Sequence, residues 1–211
     1  MRIFITGCAK SGTTLLARLF SYFENVYVHP KEINVFNSKE LKAKEKHIIS
    51  KRNQKTIFSQ TLYDYEMGEQ LYFIKKNNIK VINVVRDGRD VLPSLLNEAK
   101  YDRWIDAIDQ SIKYSRYIDY QIKYEDLVNR PDEVQKELEL KYGLKPLRKF
   151  SQYPEQIDKQ LFKEVKRDGN KYSLRPIDKK SLKKNLWFYK SVLNPNQVRQ
   201  MDWLLKKLNY L

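Results

Sequence analysis

Two short stretches concentrate the residue types that do chemistry. The first, Gly7-Cys8-Ala9-Lys10-Ser11-Gly12-Thr13-Thr14, sets two glycines, a lysine and three hydroxyls side by side. Glycine lets an anion approach the main chain, lysine brings a mobile positive charge, and hydroxyls donate, so the stretch suits a dianionic phosphate or its equivalent. The second is Arg86-Asp87-Gly88-Arg89-Asp90-Val91-Leu92-Pro93-Ser94. A guanidinium followed eight residues later by a hydroxyl can take one phosphate from two directions. Two side chains stand as proton acceptors: Glu32, a carboxylate beside Lys31, and His29, whose neutral imidazole suits the task near pH 7.

The surrounding elements explain how these stretches are held. Ile3 to Ile5 read as a buried strand, and Leu15, Leu16, Leu19, Phe20 and Phe23 recur at helical spacing, so the first stretch joins a strand to a helix. Ile79 to Val85 reads as a second buried strand, ending directly before Arg86. A short strand over 25–29, closed by Pro30, carries the Lys31-Glu32 segment at its end. In parallel sheets, reactive loops lie beyond the carboxyl ends of strands, which would face this segment toward the first loop. The expected fold is α/β, a three-layer P-loop-like arrangement with a central, mainly parallel sheet and flanking helices.

The rest of the chain reads as support. The polar stretch 37–55, which contains His47, is expected to form a solvated loop with a short helix and to serve as an acceptor-binding lid. Residues 56–59 read as a strand and 66–76 as a helix. A helix bearing Trp104, Ile105, Ile108 and Ile112 precedes a strand near Tyr120 to Tyr124, and Pro131 opens a helix that stops at Gly143. The basic segment 145–176, with Phe150, Tyr153, Phe162 and Tyr172 interleaved, fits a substrate flap, a nucleic-acid surface or a solvated face. Asn194-Pro195-Asn196-Gln197 caps a last helix whose stripe of Val198, Met201, Leu205 and Leu208 faces the core.

Composition narrows the class. A chain of 211 residues is expected to form one domain spanning 1–211. The single cysteine, Cys8, excludes an intrachain disulfide framework and a multi-cysteine metal site, and reads as a small buried loop residue. No run approaches membrane-spanning length, and a cytoplasmic protein is expected. A formal charge of +15 favours anionic partners without choosing among nucleotide, glycan, nucleic acid and membrane.

The spacing nearly matches the nucleotide-binding pattern GxxxxGK[ST], but Thr13 stands where that pattern requires lysine and the lysine is displaced to Lys10. The string Ala9-Lys10-Ser11-Gly12-Thr13-Thr14-Leu15 instead resembles the phosphosulfate loop of sulfotransferases that use 3′-phosphoadenosine 5′-phosphosulfate (PAPS). Arg86-Asp87-Gly88-Arg89-Asp90 with Ser94, and Tyr124-Glu125-Asp126-Leu127-Val128 before Pro131, resemble further segments of the same family. The resemblance implies that Ala9 to Thr14 bind the cofactor, that Arg86 and Ser94 hold its 3′-phosphate and that Tyr124 contacts adenine; Arg175-Pro176-Ile177 before Lys184 and Trp187 resembles a terminal segment of protein-tyrosine and some bacterial sulfotransferases, which implies that Lys184 joins the phosphate site. Lys31-Glu32 followed by Phe36 is similar to a stretch of glycan sulfotransferases whose glutamate takes the acceptor proton; His29 is the rival base. Asp90 is expected to order the neighbouring arginines. The implied reaction moves a sulfuryl group from PAPS to an acceptor hydroxyl on a small molecule or glycan, leaving adenosine 3′,5′-bisphosphate (PAP), with no required metal and no stable nucleic-acid partner. The alternatives are a P-loop kinase that uses ATP and a noncatalytic nucleic-acid-binding module.

Overall fold

The computed structural model describes residues 1–33, 47–52, 64–91, 99–153 and 193–211, with the backbone alone for 30–33, 51–52, 64–67 and 99–100. Five strands form one sheet: β1 (Arg2–Gly7), β2 (Val26–Ile33), β3 (His47–Arg52), β4 (Ile79–Val85) and β5 (Tyr120–Lys123), in the spatial order β2-β3-β1-β4-β5. Each neighbouring pair is parallel. Parallel strands need crossovers, and covering both faces makes the central strands apolar throughout. Ile3, Phe4 and Ile5 are accordingly all fully buried.

Alternation along the strands supplies two cores. On one face Ile3, Ile5, Ile82, Val84 and Ile122 pack with α1 (Thr13–Leu19), α5 (Tyr124–Asn129) and α6 (Pro131–Tyr142). On the other, Phe4 and Val81 meet Leu71 and Ile74 of α2 (Asp64–Lys76). Val85 on that side joins Trp104 and Ile108 of α4 (Ala99–Lys113) and Met201 and Leu205 of α7 (Pro195–Lys207). A four-residue helix, α3 (Gly88–Val91), follows β4. The expected three-layer architecture is the one observed. The cap of α7 is reciprocal, with the Gln197 amide donating to Asn194 Oδ1 at 3.0 Å and the Asn194 amide to Gln197 Oε1 at 3.0 Å. Among the described residues no helix is long and apolar enough to cross a membrane.

Three expectations are corrected. Pro30 does not end the second strand, because β2 is an edge strand where a missing N–H is tolerated, and a register shift between Val28 and Glu32 absorbs it. The stretch 37–55 is not wholly a loop, since His47–Arg52 is β3, hydrogen-bonded between β2 and β1 with His47 and Ile49 buried. Only His47 and Ile49 are buried here while Ile48 and Ser50 are half-buried, which is why Ile48-Ile49 amid lysines escapes a periodicity reading; the remaining residues 37–46 and 53–55 lie outside those described. In the segment 145–176, Phe150 and Tyr153 are buried core residues. The Phe150 ring lies 5.4 Å from that of Phe23, and the Tyr153 ring 6.4 Å from that of Tyr22. The flap reading therefore retreats to 154–176, which also lie outside the described residues, as do 56–59.

Candidate active site

The first loop leaves the carboxyl end of β1. Ser11 is fully buried, and both its amide and its hydroxyl donate to the Cys8 carbonyl, at 3.1 and 2.6 Å. Its hydroxyl thus shapes the loop rather than reaching a ligand, in contrast to the donor role expected of it. Lys10 takes a left-handed backbone with φ of 66°, uncommon for a residue with a side chain, and its side chain is exposed. Ala9 is exposed beside it, and Thr13 and Thr14 are half-buried on the first turn of α1. Cys8 is buried, as its type suggested.

Gly12 shows why the loop needs a residue without a side chain. Its φ is 96°, and a Cβ there would stand 2.4 Å from Cδ2 of Tyr124. Gly12→Ala must therefore adopt a strained backbone and push the ring away. We expect it to lower stability by about 1–3 kcal/mol and to weaken nucleotide binding, as thermal melts with and without PAP would register.

Arg86 follows β4, the strand beside β1, with Gly7 in register with Val84. Its Nη1 donates to the Lys10 carbonyl at 3.1 Å, its guanidinium carbon lies 4.2 Å from the centre of the Tyr124 ring, and the Trp104 indole N–H donates to its carbonyl at 3.1 Å. Two stretches 76 residues apart in sequence thus meet at the ends of adjacent strands. Tyr124, at the start of α5, abuts Gly12 and lies under the Arg86 guanidinium, so the ring joins both stretches. Among the described residues, the buried Arg86 Nε has no hydrogen-bond partner. A half-buried guanidinium with an unanswered N–H, beside an exposed lysine, fits a ligand carrying separated anionic groups.

The acidic residues here divide their roles differently from expectation. Asp87, not Asp90, orders an arginine: its carboxylate accepts the Arg89 amide at 2.8 Å and Nε at 2.9 Å and pairs with Nη2. Arg89 Nη1 continues to Asp202 of α7 at 3.2 Å. Asp90 turns inward, 8% exposed, with no hydrogen-bond partner for Oδ1 among the described residues. Burial, with the Asp87 carboxylate adding to it and Arg86 opposing, raises its pKa to about 6. Glu125 is likewise pushed up by burial, although the hydrogen bond from Tyr210 opposes the shift.

A carboxyl that holds its proton more tightly when folded favours the native state at low pH. Asp90 loses that contribution as pH rises from its ordinary 3.8 to about 6, a change of about 3 kcal/mol. Asp90→Asn should therefore gain stability over the parent protein by about 1–3 kcal/mol at neutral pH and by much less near pH 4. Urea melts at the two pH values check this; an equal difference at both would show that Asp90 is not held protonated.

On the other flank, Glu32 is in register with Lys51 and Lys51 with Ile5. The Glu32 backbone thus stands two strand spacings, about 10 Å, to one side of β1, near its carboxyl end. Arg86 stands one strand to the opposite side. His29 falls within the register shift, half-buried, its ring 6.2 Å from that of Tyr27 in an edge-on contact. Ser94 and Lys184 lie outside the described residues. Glu125 and Tyr210 also form part of this corner, unforeseen from residue types alone. Glu125 carried a signal in its place beside Tyr124, whereas Tyr210 lies in no motif.

A family model, the sulfotransferase domain, matches residues 1–120, more than half of the chain. The chain belongs to the sulfotransferase family. Membership supports sulfuryl transfer as the reaction class. Two solved structures share this sulfotransferase's fold. The sulfotransferase domain from the Synechococcus PCC 7002 olefin synthase is 14% identical with a TM-score of 0.56, covering 96% of this chain and 93% of its own. The sulfotransferase domain from the curacin biosynthetic pathway is 14% identical with a TM-score of 0.60, covering 99% and 97%. No curated protein sequence matches this one.

Proposed function

We propose that this sulfotransferase takes its sulfuryl group from PAPS and passes it to an acceptor hydroxyl, on a carbohydrate or another small molecule, releasing PAP. The observation that carries the reading is the contact between the two anion-binding stretches, Arg86 Nη1 on the Lys10 carbonyl at 3.1 Å. One ligand with a 5′-phosphosulfate and a 3′-phosphate would engage both. The Lys31-Glu32 segment favours a carbohydrate; the biosynthetic settings of the two structural neighbours keep other hydroxyl-bearing metabolites in view.

PAPS supplies the activated sulfuryl group. In this reading Lys10 faces the 5′-phosphate and neutralises charge growing on its bridging oxygen as the sulfur–oxygen bond breaks, an effect largest in the transition state. Ala9, Gly12, Thr13 and Thr14 line the loop around that phosphate, and Ser11 holds the loop's shape from inside. Arg86, with Ser94, holds the 3′-phosphate, Lys184 adds charge to that site, and Tyr124 borders the adenosine. Glu32 accepts the hydroxyl proton as the acceptor oxygen bonds to sulfur. Its strand position, across β1 from Arg86 and nearer the mouth than the shifted part of β2, supports it over His29.

Calorimetry with PAP and with adenosine 5′-monophosphate (AMP), joined to mass detection of products from PAPS or from ATP with magnesium, tests the proposal. Tighter PAP binding and release of PAP from PAPS are expected. ATP cleavage without recognition of PAPS, or equal affinity for the two nucleotides, would overturn it.

A further inference from the structure

One peptide bond at this corner is gripped at both of its polar atoms. The Arg86 carbonyl accepts the Trp104 indole N–H from α4 at 3.1 Å, and the Asp87 amide donates to the Tyr210 hydroxyl at 3.1 Å. The same hydroxyl donates to Glu125 Oε2. Tyr210 lies just beyond α7, 123 residues from Asp87 and outside the stretch matched by the family model. Its own placement is fixed in turn: its amide donates to the Leu205 carbonyl at 2.9 Å, and its carbonyl accepts Lys123 Nζ at 3.0 Å. The Lys123 ammonium also lies 5.0 Å from the centre of its ring.

A planar peptide held at both ends cannot rotate, and its orientation sets the direction in which the preceding side chain leaves the backbone. That side chain is Arg86. Burial and the neighbouring Glu125 carboxylate push the Tyr210 hydroxyl well above its ordinary pKa, so it stays a proton donor to Glu125 while accepting from Asp87. The structure assigns Tyr210 as a positioning residue that aims Arg86 at the 3′-phosphate by clamping the Arg86-Asp87 peptide. The assignment rests on the proposed role of Arg86 as that phosphate's ligand.

Tyr210→Phe removes the hydroxyl and keeps the ring. A control is Tyr101→Phe: Tyr101 of α4 is a buried tyrosine whose hydroxyl reaches α7, at the Gln197 carbonyl at 3.2 Å and Gln200 Oε1 at 3.0 Å, remote from Arg86 in the contacts it makes. The readout is the ratio of AMP to PAP dissociation constants by calorimetry, which isolates the 3′-phosphate. Tyr210→Phe should cut that ratio about tenfold, and Tyr101→Phe should leave it unchanged even where both lower the melting temperature. A folded Tyr210→Phe protein that keeps the ratio, or an equal fall in both variants, would overturn the assignment. A parent protein without preference for PAP would instead overturn the role of Arg86 on which the assignment stands. Hydrogen exchange at the Asp87 amide of the unaltered protein needs no variant: PAP should slow it more than AMP does, and equal rates would count against the clamp.

Discussion

A Lys10→Ala protein is expected to fold like its parent and, at saturating PAPS, to release PAP about 10²–10³-fold more slowly. The side chain is exposed, so truncating it removes no packing. What it removes is a cation at the mouth of β1, where negative charge would gather on the departing phosphate. The backbone supplies a companion test. Lys10 has a φ of 66°, a conformation that costs a residue with a Cβ roughly 1–2 kcal/mol. Lys10→Gly relieves that cost, partly offset by the freedom glycine gains when unfolded. It should melt at or above the temperature of Lys10→Ala while being just as slow. A residue kept in a strained conformation at the expense of stability is then explained by its chemistry. Turnover equal to the parent's in either folded variant would remove Lys10 from the reaction.

The second large effect is expected at Arg86. Arg86→Ala should weaken PAP about 100-fold and leave AMP within about threefold, since a hydrogen-bonded charge pair is worth several kcal/mol and only one nucleotide carries the 3′-phosphate. Arg86→Lys should recover little, because an ammonium can neither fork around a phosphate nor lie flat on the Tyr124 ring. The folded state should respond as well. The guanidinium opposes the upward shifts of both Asp90, where Arg89 assists it, and Glu125, so its loss raises both carboxyls further and lowers stability above about pH 6. Calorimetry with the two nucleotides, beside melts at acid and neutral pH, separates the effects. Equal losses of PAP and AMP binding would show that Arg86 supports the site as a whole rather than one phosphate.

Local features of this corner were legible before any coordinates. The loop between Ile5 and Leu15, the strand that delivers Arg86, the Pro131 helix and the Asn194 cap each depend on residues within a few positions of one another, and each appears as expected. The errors share a different character. β3 has a weak apolar run and owes its form to neighbours on both sides; Pro30 is tolerated only because its strand is an edge. Ser11 has the type of a ligand donor, but the turn around it directs its hydroxyl to Cys8. Which aspartate meets Arg89 depends on the exact path of the turn after β4, and Asp87 takes the place expected of Asp90.

By itself the order of residues determined the α/β class, the two stretches proposed to bind anions and the family resemblance, because strand periodicity, glycine spacing and helix caps are short-range properties of a chain. It could not determine that the two stretches share one corner, that Glu32 stands across β1 from Arg86, or that Tyr210 closes on Asp87 and Glu125. Those facts follow from the strand order β2-β3-β1-β4-β5 and from how α7 packs beneath β4. Both are settled by burial summed over the whole molecule, which no local window contains.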